Sequence, residues 1–330
     1  MKKIVKAIGL FSGGLDSAIA TKLIKDQGIE VTALNFTSPF CTCIGEGCSI
    51  GNMAQQLGIP IKLMKKGKDY IKLIKNPKFG HGKGMNPCID CRIYILKKAK
   101  KYAKEIGADF IFTGEVLDQR PMSQRHNTLL LIEKEAGLKG KLLRPLSAGL
   151  LPETEAEKKG LVDRKQLLKF QGRQRRPQLD LASKFKIEGF MCGNSGCRLT
   201  EKEFAIKLKD LFKNKKNVDI RELILLAIGR HFRYGPNKII VGRNKIENER
   251  ITKLRQKSEL LFEPVGIMGP TTLLQGKSNK NSIGLAASLT AYYSDAEEDQ
   301  VLIKYGKEIL SKEIKINKTK DKILDECRVK

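Results

Sequence analysis

Short apolar runs alternate with amphipathic segments over the first two-thirds of the chain. Five runs rich in β-branched and aromatic residues are predicted as strands: KIVKAIGLF, EVTALNF, IPIKLM, DFIFTGEV and KLLRPLS. Segments between them, such as CRIYILKKAKKYAKEIG, carry apolar residues at helical spacing and end at a glycine, here Gly107. The alternation predicts an α/β fold, a Rossmann-like parallel sheet with helices on both faces.

The pattern changes near the segment NKKN at residues 214–217, which is predicted as a linker. Beyond it, an apolar run, a turn, a strand and a charged helix follow one another, and this order predicts a small α+β domain. The last dozen residues have the composition of a fraying tail. The expected organisation is therefore a first domain at 1–213, a second at 218–318 and a tail at 319–330.

The net charge of the chain indicates what kind of partner it binds. Lys and Arg number 63 against 36 Asp and Glu, a formal net charge of +27. Such an excess predicts a polyanionic partner, for which RNA, DNA and an anionic membrane are the candidates. The alternative is that the lysines only keep the protein in solution.

The compartment follows from what the sequence lacks. No apolar stretch approaches the roughly 20 residues that span a bilayer, and the start of the chain runs into a glycine loop without a cleavage-like site. These features predict a cytoplasmic protein with no membrane partner. In that compartment the 8 cysteines are expected to be metal ligands or reactive thiols rather than disulfides.

The string SGGLDS, residues 12–17, lies between the first predicted strand and a predicted helix. A glycine turn there directs backbone N–H groups and the positive end of the helix at one point, which favours a bound phosphate. The string lacks the lysine and spacing of a Walker loop. The competing interpretation is a turn that only joins strand to helix, with Asp16 and Ser17 as caps.

SGGLDS matches the SGGxDS motif of the ATP-pyrophosphatase (PP-loop) superfamily, which the chain resembles. The resemblance implies that ATP is cleaved to AMP and pyrophosphate and that the AMP activates a carbonyl oxygen. It also implies which residues hold the pyrophosphate and its Mg²⁺: Ser12, Gly13, Gly14, Asp16 and Ser17. Phe36, at the end of the second predicted strand, is a further expected nucleotide contact.

Two later segments narrow the resemblance. GADFIFTGEVLDQRPMSQR resembles the TGxSxGQxxSQ segment of the tRNA 4-thiouridine synthetases, which implies nucleotide contacts by Gly114, Gln119, Ser123 and Gln124. GMNPCIDCR resembles the NPxxxCN segment of the tRNA 2-thiouridine synthetases, in which the last cysteine handles sulfur. Cys91 matches that cysteine, and Arg92 stands where the family has asparagine. Both segments imply tRNA thiolation, and they leave open which uridine oxygen is replaced.

Cys88 and Cys91 are spaced i, i+3 at the expected start of a helix, where the dipole favours thiolate. With Cys197 they resemble the ligand set of iron–sulfur-dependent tRNA thiolases, which implies a [4Fe-4S] cluster, with Cys192 in reserve. The alternative uses the same residues as a persulfide carrier and a resolving thiol. Another group, Cys41, Cys43 and Cys48, either holds a second metal, accepts sulfur or consists of plain thiols.

Together these observations predict an ATP-dependent tRNA sulfurtransferase with Asp16, Cys91 and Cys197 as catalytic residues. The basic segment 172–178 and the Arg and Lys residues of 229–245 are expected to contact RNA phosphates. Phe232 and Tyr234 are expected to stack on bases. The segment KIIVGRNKIENER resembles the RNA-binding domain of the NFACT proteins.

The expected partners are tRNA and a sulfur donor, either sulfide or a persulfide carrier protein; a homodimer is left open. Two rival hypotheses remain at this point. One is a PP-loop enzyme that thiolates or amidates a small molecule. The other is a non-enzymatic RNA-binding protein that keeps a nucleotide fold.

Overall fold

The computed structural model describes residues 4–42, 50–190 and 196–330, and the chain divides into two compact units, Met1–Thr200 and Glu201–Lys330. The first unit is built on a sheet whose strands run in the order β3-β2-β1-β4-β5, with every neighbouring pair parallel. The strands are β1 Lys6–Leu10, β2 Glu30–Thr37, β3 Ile61–Lys65, β4 Phe110–Thr113 and β5 Leu142–Leu143. β1, β4 and β5 lie within predicted runs, and β2 and β3 each extend one residue beyond theirs, to Thr37 and Lys65.

Helices cover both faces of this sheet, as predicted. They are α1 Leu15–Lys25, α2 Ile50–Gln56, α3 Lys68–Lys75, α4 Cys88–Ile106, α5 His126–Ala136, α6 Glu155–Lys158 and α7 Arg176–Lys184. Alternate residues of β1 point to opposite faces, so that Ala7 joins the core under α1 and α7, whereas Ile8 joins the core under α4 and α5. Helix α4 ends at Gly107, whose φ of 67° is the left-handed cap expected from the sequence.

The strand order also locates the place where a ligand can bind. From β1 the chain moves to one side for β2 and β3 and then to the other side for β4 and β5. In an open α/β sheet, the point where the strand order reverses leaves a crevice at the carboxyl ends of the strands. Here that point lies between β1 and β4, and the glycine loop follows β1 directly.

The second unit is an α+β domain, as predicted. Its antiparallel sheet has the order β11-β10-β8-β9-β7-β6. The strands are β6 Arg230–Tyr234, β7 Asn237–Val241, β8 Leu260–Pro264, β9 Thr272–Gln275, β10 Gln300–Gly306 and β11 Lys312–Asn317. The helices are α8 Lys202–Asn214, α9 Ile220–Leu225, α10 Lys245–Leu254, α11 Lys280–Tyr292 and α12 Asp321–Cys327. In the described parts of both units, no helix is long and apolar enough to span a bilayer.

The boundaries of the units differ from those expected. The observed division precedes α8, whereas the predicted linker at 214–217 follows it. The prediction followed the charge run to the C-terminal end of this amphipathic helix, in which Phe204, Leu208 and Leu211 are buried. Nor is 319–330 a free tail, because α12 buries Leu324 and Arg328 bridges to Phe232 of β6.

Candidate active site

The loop between β1 and α1 is held in a tight turn by its own residues. Gly13 has a φ of 74°, and a Cβ there would also lie 2.7 Å from Ile50 Cγ1, so the position requires glycine. Ser17 Oγ donates to the carbonyl oxygen of Gly14 at 2.8 Å and lies 3.2 Å from Ser12 Oγ. The turn delivers its backbone N–H groups to the start of α1, where the helix dipole attracts an anion.

The end of β4 packs closely against the same turn. A Cβ on Gly114 would lie 2.7 Å from both the carbonyl oxygen of Asp16 and the Cα of Ser17, so glycine is again required. This close approach encloses a cavity of about 90 Å³ between the two loops. Sites for small molecules usually exceed about 300 Å³, so the cavity encloses only part of a nucleotide.

Asp16 lines this cavity from the first turn of α1. Its Oδ2 accepts a hydrogen bond from Gln119 Nε2 at 3.0 Å and lies 3.8 Å from Arg175 Nη2. Its Oδ1 is buried and has no hydrogen-bond partner in the described part of the chain. Burial raises the pKa of Asp16, and Gln119 and Arg175 oppose the rise. A buried carboxylate oxygen of this kind suits Mg²⁺, which binds one or two carboxylates together with phosphate oxygens and water.

Most of the residues expected to bind the nucleotide meet at this cavity. Those that line it are Ser12, Gly14, Asp16, Ser17, Gly114, Gln119 and Gln124. Gly13 shapes the loop, and Ser123 is buried beside Gln124, but neither lines the described cavity. Phe36 also lies apart from it, since its ring packs against the core under α4 and α5.

Three arginines add positive charge to the cavity: Arg92, Arg120 and Arg175. Guanidinium groups bind phosphate oxygens through paired hydrogen bonds, so this set favours a polyphosphate. The sequence identified Arg92 only as a departure from the family segment. It assigned Arg175 to RNA with the rest of 172–178, whereas the structure places Arg175 against Asp16.

Glu115 forms the buried end of a charge network at the cavity wall. It is 2% exposed, its Oε2 accepts from Arg144 Nε at 3.2 Å, and its Oε1 lies 3.3 Å from Arg92 Nε. Arg144 is also bound to Glu133. Burial would raise the pKa of Glu115, but Arg92 and Arg144 hold it below its ordinary value. The network therefore keeps the carboxylate charged and fixes Arg92 at the cavity.

Glu115→Gln is expected to destabilise the protein by about 3 kcal/mol, because buried Arg144 loses a charged partner. The depressed pKa means that the carboxylate stabilises the fold above its unfolded pKa of about 4.3 and ceases to do so as the pH falls through the lower folded value. The difference between variant and wild type should therefore shrink in acid. Urea denaturation at neutral and acid pH measures it. Glu135→Gln, at an exposed pair with Lys78, is the control, and an equal loss in both variants would contradict the assignment.

Cys91 lies in the first turn of α4 with two donors on its sulfur. Sγ accepts hydrogen bonds from Tyr70 Oη at 3.1 Å and from Lys66 Nζ at 3.4 Å. The Lys66 ammonium also lies 4.5 Å from the centroid of the Tyr70 ring. Burial and Cys91 raise the pKa of Tyr70 far above its ordinary value, so the phenol keeps its proton and remains a donor. The ammonium and the phenol thus both donate to the Cys91 sulfur and fix its position.

The other predicted thiols gather around Cys91. Cys88 Sγ accepts from Asn86 Nδ2 at 3.2 Å. The backbone of Cys197 bridges to Cys41, which brings one of the undecided cysteines to the site. Desolvation raises the pKa of the Cys197 thiol to about 11, and charge on Cys91 or Cys88 adds to the rise. Cys197 is therefore protonated at neutral pH.

Ligands for a metal are only partly in place. Cys43, Cys48 and Cys192 lie outside the described residues. Within 4–42, 50–190 and 196–330, no three His, Cys, Asp or Glu side chains are arranged to hold a metal ion. Cys88, Cys91 and Cys197 are soft ligands of the type that iron–sulfur clusters use, but their described arrangement is not that of a ligand set.

The second unit corrects one expectation about RNA. Phe232 is fully buried in the core of this unit and cannot stack on a base, so that prediction was wrong. Apolar and polar residues do not alternate clearly in the run RHFRY, so the sequence did not indicate which face of the strand is buried. In β6 the side chain of Phe232 lies on the core side. Tyr234, at the end of β6, is 36% exposed, and Arg233 is bound to Asp210.

Two family models match separate parts of the chain. Residues 4–136 match the tRNA methyl transferase HUP domain, and residues 229–327 match the NFACT protein RNA binding domain. The first match contains the phosphate loop and Cys91, and the second contains all six strands of the second unit.

Curated relatives agree with the first match. The chain is 29% identical over 135 residues to the tRNA-specific 2-thiouridylase MnmA of Geobacter metallireducens. This alignment covers 34% of this chain and 35% of that protein. It is 31% identical over 121 residues to the MnmA of Coxiella burnetii, and this alignment covers 33% of each of the two proteins. The chain thus spans about a third of the length of these relatives. These matches confirm the resemblances to tRNA thiouridine synthetases and to the NFACT RNA-binding domain.

Solved structures align more weakly. The U34-tRNA thiolase NcsA from Methanococcus maripaludis with its [4Fe-4S] cluster is 19% identical, covers 64% of this chain and 67% of its own, and has a TM-score of 0.36. A 4-thiouridine synthetase in complex with RNA and ATP is 21% identical, covers 67% and 52%, and has a TM-score of 0.37. These scores are too low for either structure to bear on the function of this chain.

Proposed function

We propose that this protein is an ATP-dependent tRNA sulfurtransferase that adenylates a uridine carbonyl oxygen and replaces it with sulfur. One observation carries the proposal. Cys91 and Arg92 are consecutive near the start of α4, where Arg92 lines the cavity of the phosphate loop and Cys91 is held by Lys66 and Tyr70. A sulfur nucleophile thus lies one residue from the place where the carbonyl oxygen would be activated.

The substrate class comes from the matches and the charge. The relatives of the first unit are named tRNA-specific 2-thiouridylases, and the second unit matches an RNA-binding domain. A formal net charge of +27 suits a polyanion of the size of tRNA. The relatives are matched over about a third of their length. The proposal therefore names the modified nucleoside as a uridine and does not assign its position in the tRNA.

Activation comes first, since a uridine carbonyl oxygen is a poor leaving group. The oxygen attacks the α-phosphate of ATP, pyrophosphate departs, and the uridine carbon then carries AMP through its former oxygen. The phosphate loop, Arg120 and Arg175 would bind the departing pyrophosphate, and Asp16 would hold Mg²⁺ through its buried Oδ1. The metal would neutralise charge on the phosphates.

Sulfur transfer follows at Cys91. A persulfide carrier protein transfers its terminal sulfur atom to Cys91 and leaves as a thiolate, so that Cys91 becomes a persulfide. The terminal sulfur of Cys91 then attacks the adenylated carbon, and AMP leaves with the former oxygen. Cys197, after losing its proton, attacks the Cys91 sulfur and breaks the S–S bond. This releases thiouridine and leaves a disulfide between Cys91 and Cys197, which an external thiol reduces. Desolvation raises the pKa of Cys197 and keeps its thiol protonated at rest, and the positive charge of Lys66 opposes this rise.

The alternative is a [4Fe-4S] cluster held by Cys88, Cys91 and Cys197, which would supply a sulfide bound to iron. The contacts of Cys91 with Lys66 and Tyr70 support the persulfide route. Iron and sulfide analysis after anaerobic purification separates the two routes. A colourless, iron-free protein that still thiolates tRNA supports the persulfide, whereas stoichiometric iron that Cys91→Ala removes supports the cluster.

The proposal as a whole is tested in cells. Deletion of the gene should remove one thiolated uridine from digested tRNA, as measured by mass spectrometry, and the wild-type chain should restore it. An unchanged set of thiolated nucleosides would refute the proposal. It would direct attention to the small-molecule alternative, which predicts no salt-dependent binding of tRNA by the purified protein.

A further inference from the structure

The second unit contains a cavity of about 600 Å³ that the active site does not use. It lies between the start of α10 and the loop 264–271, which begins at the last residue of β8 and leads to β9. Its volume falls within the range of about 300–1,000 Å³ that is usual for small-molecule sites. A single nucleotide is a ligand of suitable size.

One part of the cavity wall is formed by the planar, positively charged guanidinium group of Arg230. The Arg230 guanidinium lies 4.4 Å from the centroid of the Tyr293 ring, and its Nη1 donates to the carbonyl oxygen of Gly242 at 3.3 Å. Tyr293 is fixed in turn, because its hydroxyl accepts from Arg328 Nη2 at 2.9 Å. Both Arg230 and Tyr293 line the cavity. Proteins that read unpaired RNA stack bases on such guanidinium planes and on aromatic rings.

Another part of the wall is the loop 264–271, which is anchored to α10. Asn248 Oδ1 accepts from the backbone N of Thr271 at 3.1 Å, and Asn248 Nδ2 donates to the carbonyl oxygen of Gly269 at 3.3 Å. The cavity is therefore preformed. On this loop Met268 is 78% exposed and Ile267 is 40% exposed, and both line the cavity. Exposed apolar groups and a fixed guanidinium that line one cavity are the types of group that cover the faces of a base.

Both cationic and anionic side chains line the cavity. At the start of α10, Arg243 is bound to Glu247, whereas the exposed Lys245 makes no ion pair in the described part of the chain. Among the anionic residues, Glu263 accepts from Thr271 Oγ1 and lies 3.7 Å from Lys304 Nζ, and Asp295 also lines the cavity. A phosphate fits the start of α10, and the carboxylates suit the N–H groups of a base edge.

We propose that this cavity binds one unpaired nucleotide of RNA. Its base lies between Arg230 and Met268, and its phosphate lies against Lys245. This inference rests on the proposed function in one respect only, namely that the RNA is a tRNA.

Fluorescence anisotropy of the full chain tests it with a labelled single-stranded oligouridylate, compared with an RNA duplex of equal length. Arg230→Gln is expected to weaken single-strand binding about tenfold, the usual effect of losing one stacked base, with a smaller loss for the exposed Met268→Ala. Lys245→Gln should lower the slope of log K against log salt by about one, as for one lost phosphate contact. Lys257→Gln, at a lysine that is 93% exposed and does not line the cavity, is the matched control and should bind as wild type.

Crosslinking from 5-iodouridine adds a readout that needs no variant. Crosslinks in 264–271 or at Tyr293 support the site, and crosslinks confined to other segments overturn it. Equal weakening of single-strand and duplex binding by Met268→Ala, or binding by folded Arg230→Gln within about twofold of wild type, also overturns it. The two proposals fail separately. If the wild type binds through this cavity while tRNA from deleted cells keeps every thiolated uridine, only the proposed function fails.

Discussion

Asp16→Asn is expected to reduce the cleavage of ATP to AMP by about a thousandfold, a typical loss when one group that stabilises transition-state charge is removed. The reason is the buried Oδ1, which has no hydrogen-bond partner in the described chain and is the atom assigned to Mg²⁺. Asparagine keeps the shape and the contact with Gln119 but removes the charge. The measurement is release of labelled pyrophosphate in the presence of tRNA.

Asp26→Asn is the matched control, because Asp26 follows α1 directly and its carboxylate pairs with the half-buried Lys22. It should cleave ATP like the wild type. Both variants should also bind tRNA and unfold thermally like the wild type, since each replacement keeps the size and shape of the side chain. ATP cleavage by Asp16→Asn within about tenfold of wild type would contradict the role of this carboxylate.

Cys91→Ser should abolish tRNA thiolation while leaving adenylation intact. A hydroxyl cannot carry a persulfide, yet serine keeps the size of the side chain and leaves Arg92 at the cavity. Tyr70→Phe should slow single-turnover sulfur transfer about tenfold, the cost of one hydrogen bond to a charged group. Thiouridine in digested tRNA and pyrophosphate release, measured on the same samples, separate the two steps.

Two controls match these variants. Tyr94→Phe removes a hydroxyl that contacts Asp69 rather than Cys91, although its ring lies 5.3 Å from that of Tyr70. Cys327→Ser changes a thiol of the second unit. Both should thiolate tRNA at the wild-type rate. Thiolation by Cys91→Ser, or a joint loss of pyrophosphate release and thiolation, would contradict the assignment of Cys91 to the sulfur step.

The sheet and the phosphate loop could be predicted because their signals are local. The alternation of runs gave all five parallel strands, and SGGLDS gave the turn that Gly13 and the two serines close. The spacing of Cys88 and Cys91 gave their place in one helical turn. Each of these signals extends over a few residues, so no long-range packing was needed to interpret them.

Contacts between distant segments could not be predicted in this way. Lys66 and Tyr70 reach Cys91 only after β3 and α4 pack, although their position just beyond a predicted strand was a usable signal. Arg175 seemed one of several cations in a basic run until folding placed it against Asp16. Phe232 was misassigned because its strand does not alternate, so the sequence did not indicate which face is buried.

The adjacency of Cys91 and Arg92 also limits insertions and deletions. Successive residues of an α-helix are rotated by about 100° around its axis, so one residue added before Cys91 would turn both side chains away from their sites together. Substitutions in this turn affect one site at a time, whereas a change in its length displaces both. The function therefore restricts the number of residues from Pro87, the N-cap of α4, to Arg92 as strongly as it restricts which residues stand there. Length variation in this part of the chain should be tolerated before the turn, in the exposed stretch 80–83, rather than within it.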